Sequence, residues 1–143
     1  MENKYYTPTI DEFHVGFEYE IDNEKSIYSE THMNLFNINH KIKLNQIRVK
    51  YLDKEDIESL GWKVIESGKS PFTGKELYKF KINKEVGFNT GTNWYLEDGY
   101  TPGTIRITIE NYGSWATSKD TINLFIKNKS ELKKLMKQLN INE

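Results

Sequence analysis

The sequence predicts an α+β protein: an antiparallel sheet of about five to seven strands, one short internal helix and one C-terminal amphipathic helix. Several segments alternate apolar and polar residues with the period of two that is typical of strands. Aromatic residues make up 13% of the 143 residues, which favours sheet over disorder. Residues 130–139 repeat apolar side chains at the three- and four-residue spacing of a helix. The length suits one core, so we expect residues 1–143 to form a single domain.

The clearest strand pattern runs from Phe13 to Ile21, where every second residue is apolar or aromatic. The other face of this predicted strand carries His14, Glu18 and Glu20. Carboxylates two residues apart on a strand lie about 7 Å apart, a spacing that suits glycoside hydrolysis or the binding of a divalent cation. The ordinary role of such a face is contact with solvent. A carboxylate-dependent hydrolase is therefore one alternative function.

Residues 22–33 are polar and predict a loop or a short edge strand, with a hairpin after them. The first strand of the hairpin is expected over 36–44, with His40 in an inward position, and the second over 47–51, after a turn at 45–46. Basic residues on such a β-ribbon can contact phosphates, or they can face solvent as ordinary strand residues. Those on this hairpin are Lys41, Lys43, Arg48 and Lys50. The last two are candidate binding residues.

Two helices and four further strands complete the prediction. Asp53 is typical of a helix N-cap, and Gly61 fits the left-handed position that follows a helix. The C-terminal helix is expected to be capped by Ser130 and to end at Asn140, which can take the left-handed position. The further strands are expected at 62–66, 77–82, 105–109 and 121–126.

The region 87–103 is predicted to be a long loop that binds a ligand or a partner. It combines Trp94, Tyr95 and Tyr100 with glycines and asparagines, and Trp115 follows the next predicted strand. Aromatic rings beside small polar residues suit the stacking of bases or sugars, and the same residue types form protein-binding surfaces. We take these four aromatic residues as candidate binding residues. The alternative is a hairpin whose Trp94 and Tyr95 close the end of a small core.

Composition excludes several classes of function. With 20 basic and 21 acidic residues, the formal net charge of −1 does not fit generic coating of nucleic acid. The absence of cysteine excludes disulfides, thiolate nucleophiles and zinc ribbons. Neither a zinc-protease motif nor a phosphate-loop motif occurs, and no apolar run is long enough to span a membrane. We therefore expect a non-catalytic protein of the cytoplasm, without metal or other cofactor and without membrane contact.

Three segments stand out as a set: Tyr6–Glu20 (YTPTIDEFHVGFEYE), Ile47–Trp62 (IRVKYLDKEDIESLGW) and Ile126–Leu139, which contains KNKSELKKLMKQL. They resemble a group of small uncharacterised proteins encoded by phages, prophages and genomes of Bacteroidetes. The resemblance covers about a third of the chain and supplies no catalytic residue. It implies a small accessory protein in a bacterial cytoplasm, where counter-defence and host take-over are common roles.

The sequence thus predicts a binding protein. The first candidate partner is a host protein, recognised through the aromatic loops. The alternative ligand is a nucleotide or cyclic oligonucleotide, with its base on Trp94, Tyr95 or Trp115 and its phosphates on lysines or Arg48. Residues 1–30 are acidic and residues 119–138 are basic. These opposite charges either lie near each other in one fold or form the association surface of a homodimer.

Overall fold

The computed structural model describes residues 4–29, 34–72, 74–98, 104–113 and 117–141. Within these residues it has two antiparallel sheets, of four and five strands, and three α-helices. The predicted α+β class, with its sheet strands and a helix near the C-terminus, is confirmed. The strands are divided between two sheets, whereas the sequence predicted one sheet.

The chain divides into two compact units. The first consists of Met1–Leu52 with Asn128–Leu132, and the second of Asp53–Lys127 with Lys133–Glu143. Each unit contains one of the two sheets. The expectation of a single domain stays a prediction.

The four-stranded sheet of the first unit is built from short strands: β1 (Tyr5–Tyr6), β2 (Glu18–Ile21), β3 (Glu24–Ile27) and β4 (Ile47–Lys50). Their hydrogen-bonded order is β1–β4–β2–β3, and every neighbouring pair is antiparallel. The turn between β2 and β3 consists of Asp22 and Asn23, with φ of 50° and 67°. Two consecutive left-handed residues are what a two-residue hairpin turn requires. The predicted short edge strand after residue 21 is therefore confirmed.

Only the last four residues of the strand predicted over 13–21 belong to a strand. Gly16 has φ of 93° and turns the chain before β2 begins. Val15 is consequently 61% exposed, whereas Phe13 and Phe17 on either side of it are buried. The rings of Phe13 and Phe17 pack edge to face, with centroids 4.8 Å apart. Their burial follows from a turn and not from a common strand face.

The strand predicted over 36–44 is wrong, because Leu35–Lys43 forms a helix, α1. Asn34 caps this helix by accepting a hydrogen bond from the main-chain N–H of Asn37 (2.9 Å). Asn45 has φ of 56° and ends the helix in the left-handed conformation. The predicted hairpin turn at 45–46 is therefore wrong as well.

The apolar side of α1 belongs to an aromatic core in the first unit. Ile38 is fully buried, and Ile42, four residues later, packs against the same cluster, because residues i and i+4 share a helix face. His40 is exposed, which corrects the inward position expected for it. The buried residues of this core are Phe13, Phe17, Tyr19, Tyr28, Ile38, Ile47 and Val49.

The second unit begins with the predicted short helix, α2 (Lys54–Ser59). The carboxylate of Asp53 accepts a hydrogen bond from the N–H of Asp56 (2.9 Å), and the Asp56 carboxylate accepts one from the N–H of Asp53 (3.4 Å). This reciprocal pair is a capping box. Gly61 has φ of 98°, as predicted for the residue that follows the helix.

The five-stranded sheet of the second unit is a meander. Its strands are β5 (Lys63–Lys69), β6 (Glu76–Gly87), β7 (Thr90–Asp98), β8 (Thr104–Tyr112) and β9 (Thr117–Phe125). They lie in the sheet in chain order, each antiparallel to the next. Four of them confirm predicted strands, although each is longer than the sequence pattern indicated.

The loop predicted over 87–103 is wrong over most of its length, because β7 is the central strand of this sheet. Phe88 and Asn89 form the turn between β6 and β7, and Asn89 has φ of 50°. The alternative prediction of a hairpin is confirmed, with Trp94 in the core, but Tyr95 lies on the opposite face of the sheet and does not close the core. Residues 99–103 lie outside the described residues. One face of the sheet is apolar, and its buried side chains are Phe80, Ile82, Trp94, Leu96, Ile105 and Ile107.

Helix α3 (Lys129–Gln138) confirms the predicted C-terminal helix but has a different cap. The side-chain oxygen of Asn128 accepts a hydrogen bond from the N–H of Glu131 (2.9 Å), so Asn128 is the N-cap. The hydroxyl of Ser130, which was the predicted cap, accepts a main-chain hydrogen bond from β2 instead. Asn140 has φ of 56° and ends the helix as predicted.

Candidate functional site

The face of the five-stranded sheet opposite the buried one is polar and is the strongest candidate for a functional site. Side chains alternate along each strand, so residues directly opposite each other on neighbouring strands share a face. Tyr95, on β7, lies between Lys81 on β6 and Thr108 on β8. We call this surface the polar face; it carries Lys79, Lys81, Tyr95, Arg106, Glu110 and Tyr112.

Two lysines approach the ring of Tyr95. The Nζ atoms of Lys79 and Lys81 lie 5.1 Å and 5.7 Å from the ring centroid, within the range of a cation–π interaction. Lys63 on β5 lies directly opposite Lys81. Within the described residues none of these three lysines forms an ion pair, although Glu66 lies opposite Lys79. Like charges opposite each other destabilise a sheet, so this part of the polar face favours an anion.

A cross-strand ion pair borders the lysines on the polar face. Glu97 lies on β7 between Lys79 on β6 and Arg106 on β8. Its carboxylate pairs with Arg106, whose Nη2 lies 3.0 Å from Oε2 of Glu97. Among the described residues, Glu97 therefore pairs with Arg106 and not with Lys79.

A chain of hydrogen bonds crosses the polar face on the other side of Tyr95. Nδ2 of Asn83 donates to Oδ1 of Asn93 (2.7 Å), and Nδ2 of Asn93 donates to Oε1 of Glu110 (3.0 Å). The hydroxyl of Tyr95 donates to the same carboxylate oxygen (3.5 Å). Lys119 on β9 lies 3.6 Å from the other oxygen of Glu110. These contacts hold the carboxylate in place, and the carboxylate in turn orients the Tyr95 hydroxyl.

The same contacts shift the pKa values of two groups. The amide of Asn93, which donates to Glu110, lowers the pKa of this carboxyl, and the Lys119 ammonium acts in the same direction. Burial raises the pKa of the Tyr95 phenol, and the charge of Glu110 adds to the effect. At neutral pH Glu110 is therefore ionised and Tyr95 keeps its proton, so the phenol remains a hydrogen-bond donor.

The structure separates the four aromatic candidates. Tyr95 lies on the polar face, whereas the preceding residue, Trp94, is 6% exposed on the buried face. The expectation that Trp94 lies in a binding loop is wrong, and its ring is part of the core. Tyr100 and Trp115 lie outside the described residues.

The two basic candidates belong to the first unit and not to the unit with the polar face. Nη2 of Arg48 donates to Oε1 of Glu20 (2.9 Å), and the Arg48 guanidinium lies 3.8 Å from the ring centroid of Tyr5. Lys50 lies directly opposite Tyr5 in the sheet. Arg48 therefore has both an anionic and an aromatic partner within its own unit, which is typical of a surface strand residue.

Two residues of the hydrolase alternative, Glu20 and His14, have partners in the first unit. Glu20 forms the ion pair with Arg48, and Nδ1 of His14 lies 3.1 Å from the main-chain oxygen of Glu12. Across the described part of the chain, no group of three His, Cys, Asp or Glu side chains could hold a metal ion.

Sequence reasoning did not identify Lys79, Lys81 or Glu110 as site residues. The alternation over 77–82 placed both lysines on the outward side of a strand, and this signal could have found them. The contact of these lysines with Tyr95 could not be predicted, because the sequence pattern placed Tyr95 in a loop. Only the pairing of β6 with β7 brings the lysines to the ring.

Comparisons with protein-family models, curated proteins and solved structures find no match. None of the helices in the part of the chain that the structure describes is long and apolar enough to cross a membrane.

Proposed function

We propose that this protein is a non-catalytic binding protein whose polar face binds a nucleotide. The base would stack on the ring of Tyr95 and take the place of the Lys79 and Lys81 ammonium groups that lie over it. These two ammonium groups and that of Lys63 would then contact the phosphates. The observation that carries this proposal is the group of three lysines, without ion-pair partners among the described residues, beside one aromatic ring on a sheet. Aromatic stacking combined with phosphate contacts is how single-stranded nucleic acids are bound on sheets.

The electrostatics of the polar face support a nucleotide over a neutral ring compound. Lys63 and Lys81 are opposite each other and repel, so a bound phosphate would relieve an unfavourable contact as well as form two new ones. The base needs no charge to stack, because every base has a π face. The polar face thus has lysines for the phosphates and an aromatic ring for the base.

The small size of this cationic cluster also agrees with the overall charge. A protein that coats nucleic acid needs many phosphate contacts, and a chain with a net charge of −1 does not provide them. Three lysines beside one ring suit a ligand with few phosphates. The proposal therefore concerns a small ligand, as expected for sequestration rather than coating.

Replacing Tyr95 with alanine should weaken nucleotide binding by about 1–3 kcal/mol, because the stacking surface is lost. Isothermal titration calorimetry with each of the four ribonucleoside 5′-triphosphates, at low salt, measures this change. Tyr95→Phe is the matched control: it keeps the ring, removes the hydrogen bond to Glu110 and should retain most of the affinity. The proposal fails if none of the nucleotides binds, or if Tyr95→Ala binds as tightly as the unaltered protein.

A second candidate function is recognition of a host protein, the role that the phage-like context suggests. It is favoured by two exposed apolar side chains: Val86, near the end of β6, is 73% exposed, and Phe88, in the turn between β6 and β7, is 92% exposed. Exposed apolar side chains this close in sequence are suited to fill a pocket of a partner protein. A homodimer and a location in the bacterial cytoplasm remain further predictions of this proposal.

Under this second function, Phe88→Ser should lower the recovery of the partner from a bacterial lysate by at least about tenfold, as for an interface hot spot. Phe72→Ser is the matched control, because Phe72 is 95% exposed in the turn between β5 and β6. Mass spectrometry of the captured proteins measures the difference. Equal recovery with the two variants would count against a role for the β6–β7 turn.

A further inference from the structure

A second aromatic ring lies on the polar face, at the far end from the lysines. Tyr112 on β8 is directly opposite Gly91 on β7. A Cβ atom at Gly91 would lie 2.6 Å from the hydroxyl oxygen of Tyr112 and 2.9 Å from its Cζ. The phenol of Tyr112 therefore covers Gly91 in the space that any other residue would need for its side chain. Nδ2 of Asn83 donates to the Tyr112 hydroxyl (3.2 Å) and fixes this position.

The two rings are too far apart to stack on the same base. Gly91 and Tyr95 are four residues apart on one strand, which corresponds to about 13 Å at 3.3 Å per residue. Stacked neighbours in a nucleic-acid strand are about 3.4 Å apart. A ligand that uses both rings must carry at least two bases that are unstacked from each other. This is the form in which single strands bind to aromatic side chains.

The outward side chains of β6 change from cationic beside Tyr95 to neutral and acidic toward Tyr112. Lys79 and Lys81 lie beside Tyr95 on β6, and the next outward residue on β6 is Asn83. Glu85 follows and lies directly opposite Gly91. The end near Tyr95 thus offers cations for phosphates, and the end near Tyr112 offers oxygen acceptors for the amino groups of bases.

We propose that the ligand of the polar face is a short single-stranded oligonucleotide, held by one base on Tyr95 and another on Tyr112. This inference rests on the proposed nucleotide-binding function and specifies its ligand. The bases between the two rings would lie over the chain of Asn83, Asn93 and Glu110. A mononucleotide is expected to bind at the Tyr95 end, because the lysines that would contact its phosphates lie there.

The test is a length series with fluorescein-labelled oligonucleotides of one to six residues, as DNA and as RNA, followed by fluorescence anisotropy at low salt. Affinity should rise about 5- to 150-fold once the strand is long enough to reach Tyr112, the gain expected for one stacked base. It should then level off. Tyr112→Ala should abolish this rise, while Tyr112→Phe should preserve it. The difference between the DNA and RNA series identifies the kind of strand.

The outcomes separate the two proposals. Equal affinity for one and for six residues overturns the inference in the unaltered protein, without recourse to a variant. A length-dependent rise that survives in a folded Tyr112→Ala variant overturns it as well. In both cases mononucleotide binding that depends on Tyr95 would leave the proposed function standing. Absence of binding at every length would overturn both.

Discussion

Replacing Trp94 with alanine is expected to lower the free energy of unfolding by about 3–5 kcal/mol, the range for removing a large aromatic side chain from a core. Trp94 is 6% exposed, and Ile82 and Ile109 lie directly opposite it on the two neighbouring strands. The truncation therefore leaves a cavity in the middle of the five-stranded sheet, where the strands on both sides limit collapse. Urea denaturation followed by circular dichroism measures the loss.

Tyr95→Ala is the matched control for this variant, because Tyr95 is the next residue along β7 and faces the opposite side of the sheet. It should lower the free energy of unfolding by about 1 kcal/mol, the usual value of a hydrogen bond such as the one to Glu110. Similar losses for the two variants would contradict the assignment of the buried face and the polar face.

Phe17→Ala is expected to have an effect of the same size in the first unit, about 3–5 kcal/mol. Phe17 is fully buried, and its ring contacts those of Phe13 and Tyr19, with centroids 4.8 Å and 6.4 Å away. Val15→Ala is the control and should change stability by less than about 0.5 kcal/mol, because Val15 is 61% exposed. A strand over 13–21 would have made these two positions equivalent. Equal losses would restore that strand and contradict the turn at Gly16.

The two large-to-small variants together test the prediction of a single domain. Phe17 and Trp94 belong to different compact units, and helix α3 contributes residues to both units. If the chain unfolds as one domain, each variant should move the same single transition to lower urea. Two transitions, each moved by one variant only, would show that the units unfold separately.

Predictions that depended on a few adjacent residues were confirmed. Helix α2 was predicted from Asp53, Asp56 and Gly61. In the structure Asp53 and Asp56 form the capping box at its start, and Gly61 takes the left-handed conformation after its end. The left-handed Asn140 at the end of α3 is a similar case. Such signals lie within one helix turn, so they can be recognised from neighbouring residues alone.

Predictions that depended on one apolar pattern were less secure. The apolar residues of 36–44 alternate in part, which predicts a strand, but Ile38 and Ile42 also share a helix face. The cap at Asn34 and the left-handed Asn45 favour the helix. The apolar pattern of these residues fits a strand or a helix, and the residues at the two ends of α1 decide for the helix. The prediction that Ser130 caps α3 was wrong because Asn128, two residues earlier, is the cap.

The sequence alone determined the class of fold, both ends of the helix α2, the presence of the C-terminal helix and the outward direction of Lys79 and Lys81, because each of these follows from neighbours along the chain. Only the tertiary structure decided which residues meet on the polar face. Tyr95 is 14 residues from Lys81 and 15 residues from Glu110 in sequence, and strand pairing brings all three together. It also decided that Trp94 is a core residue while Tyr95 faces outward, because one step along a strand reverses the side on which a side chain lies.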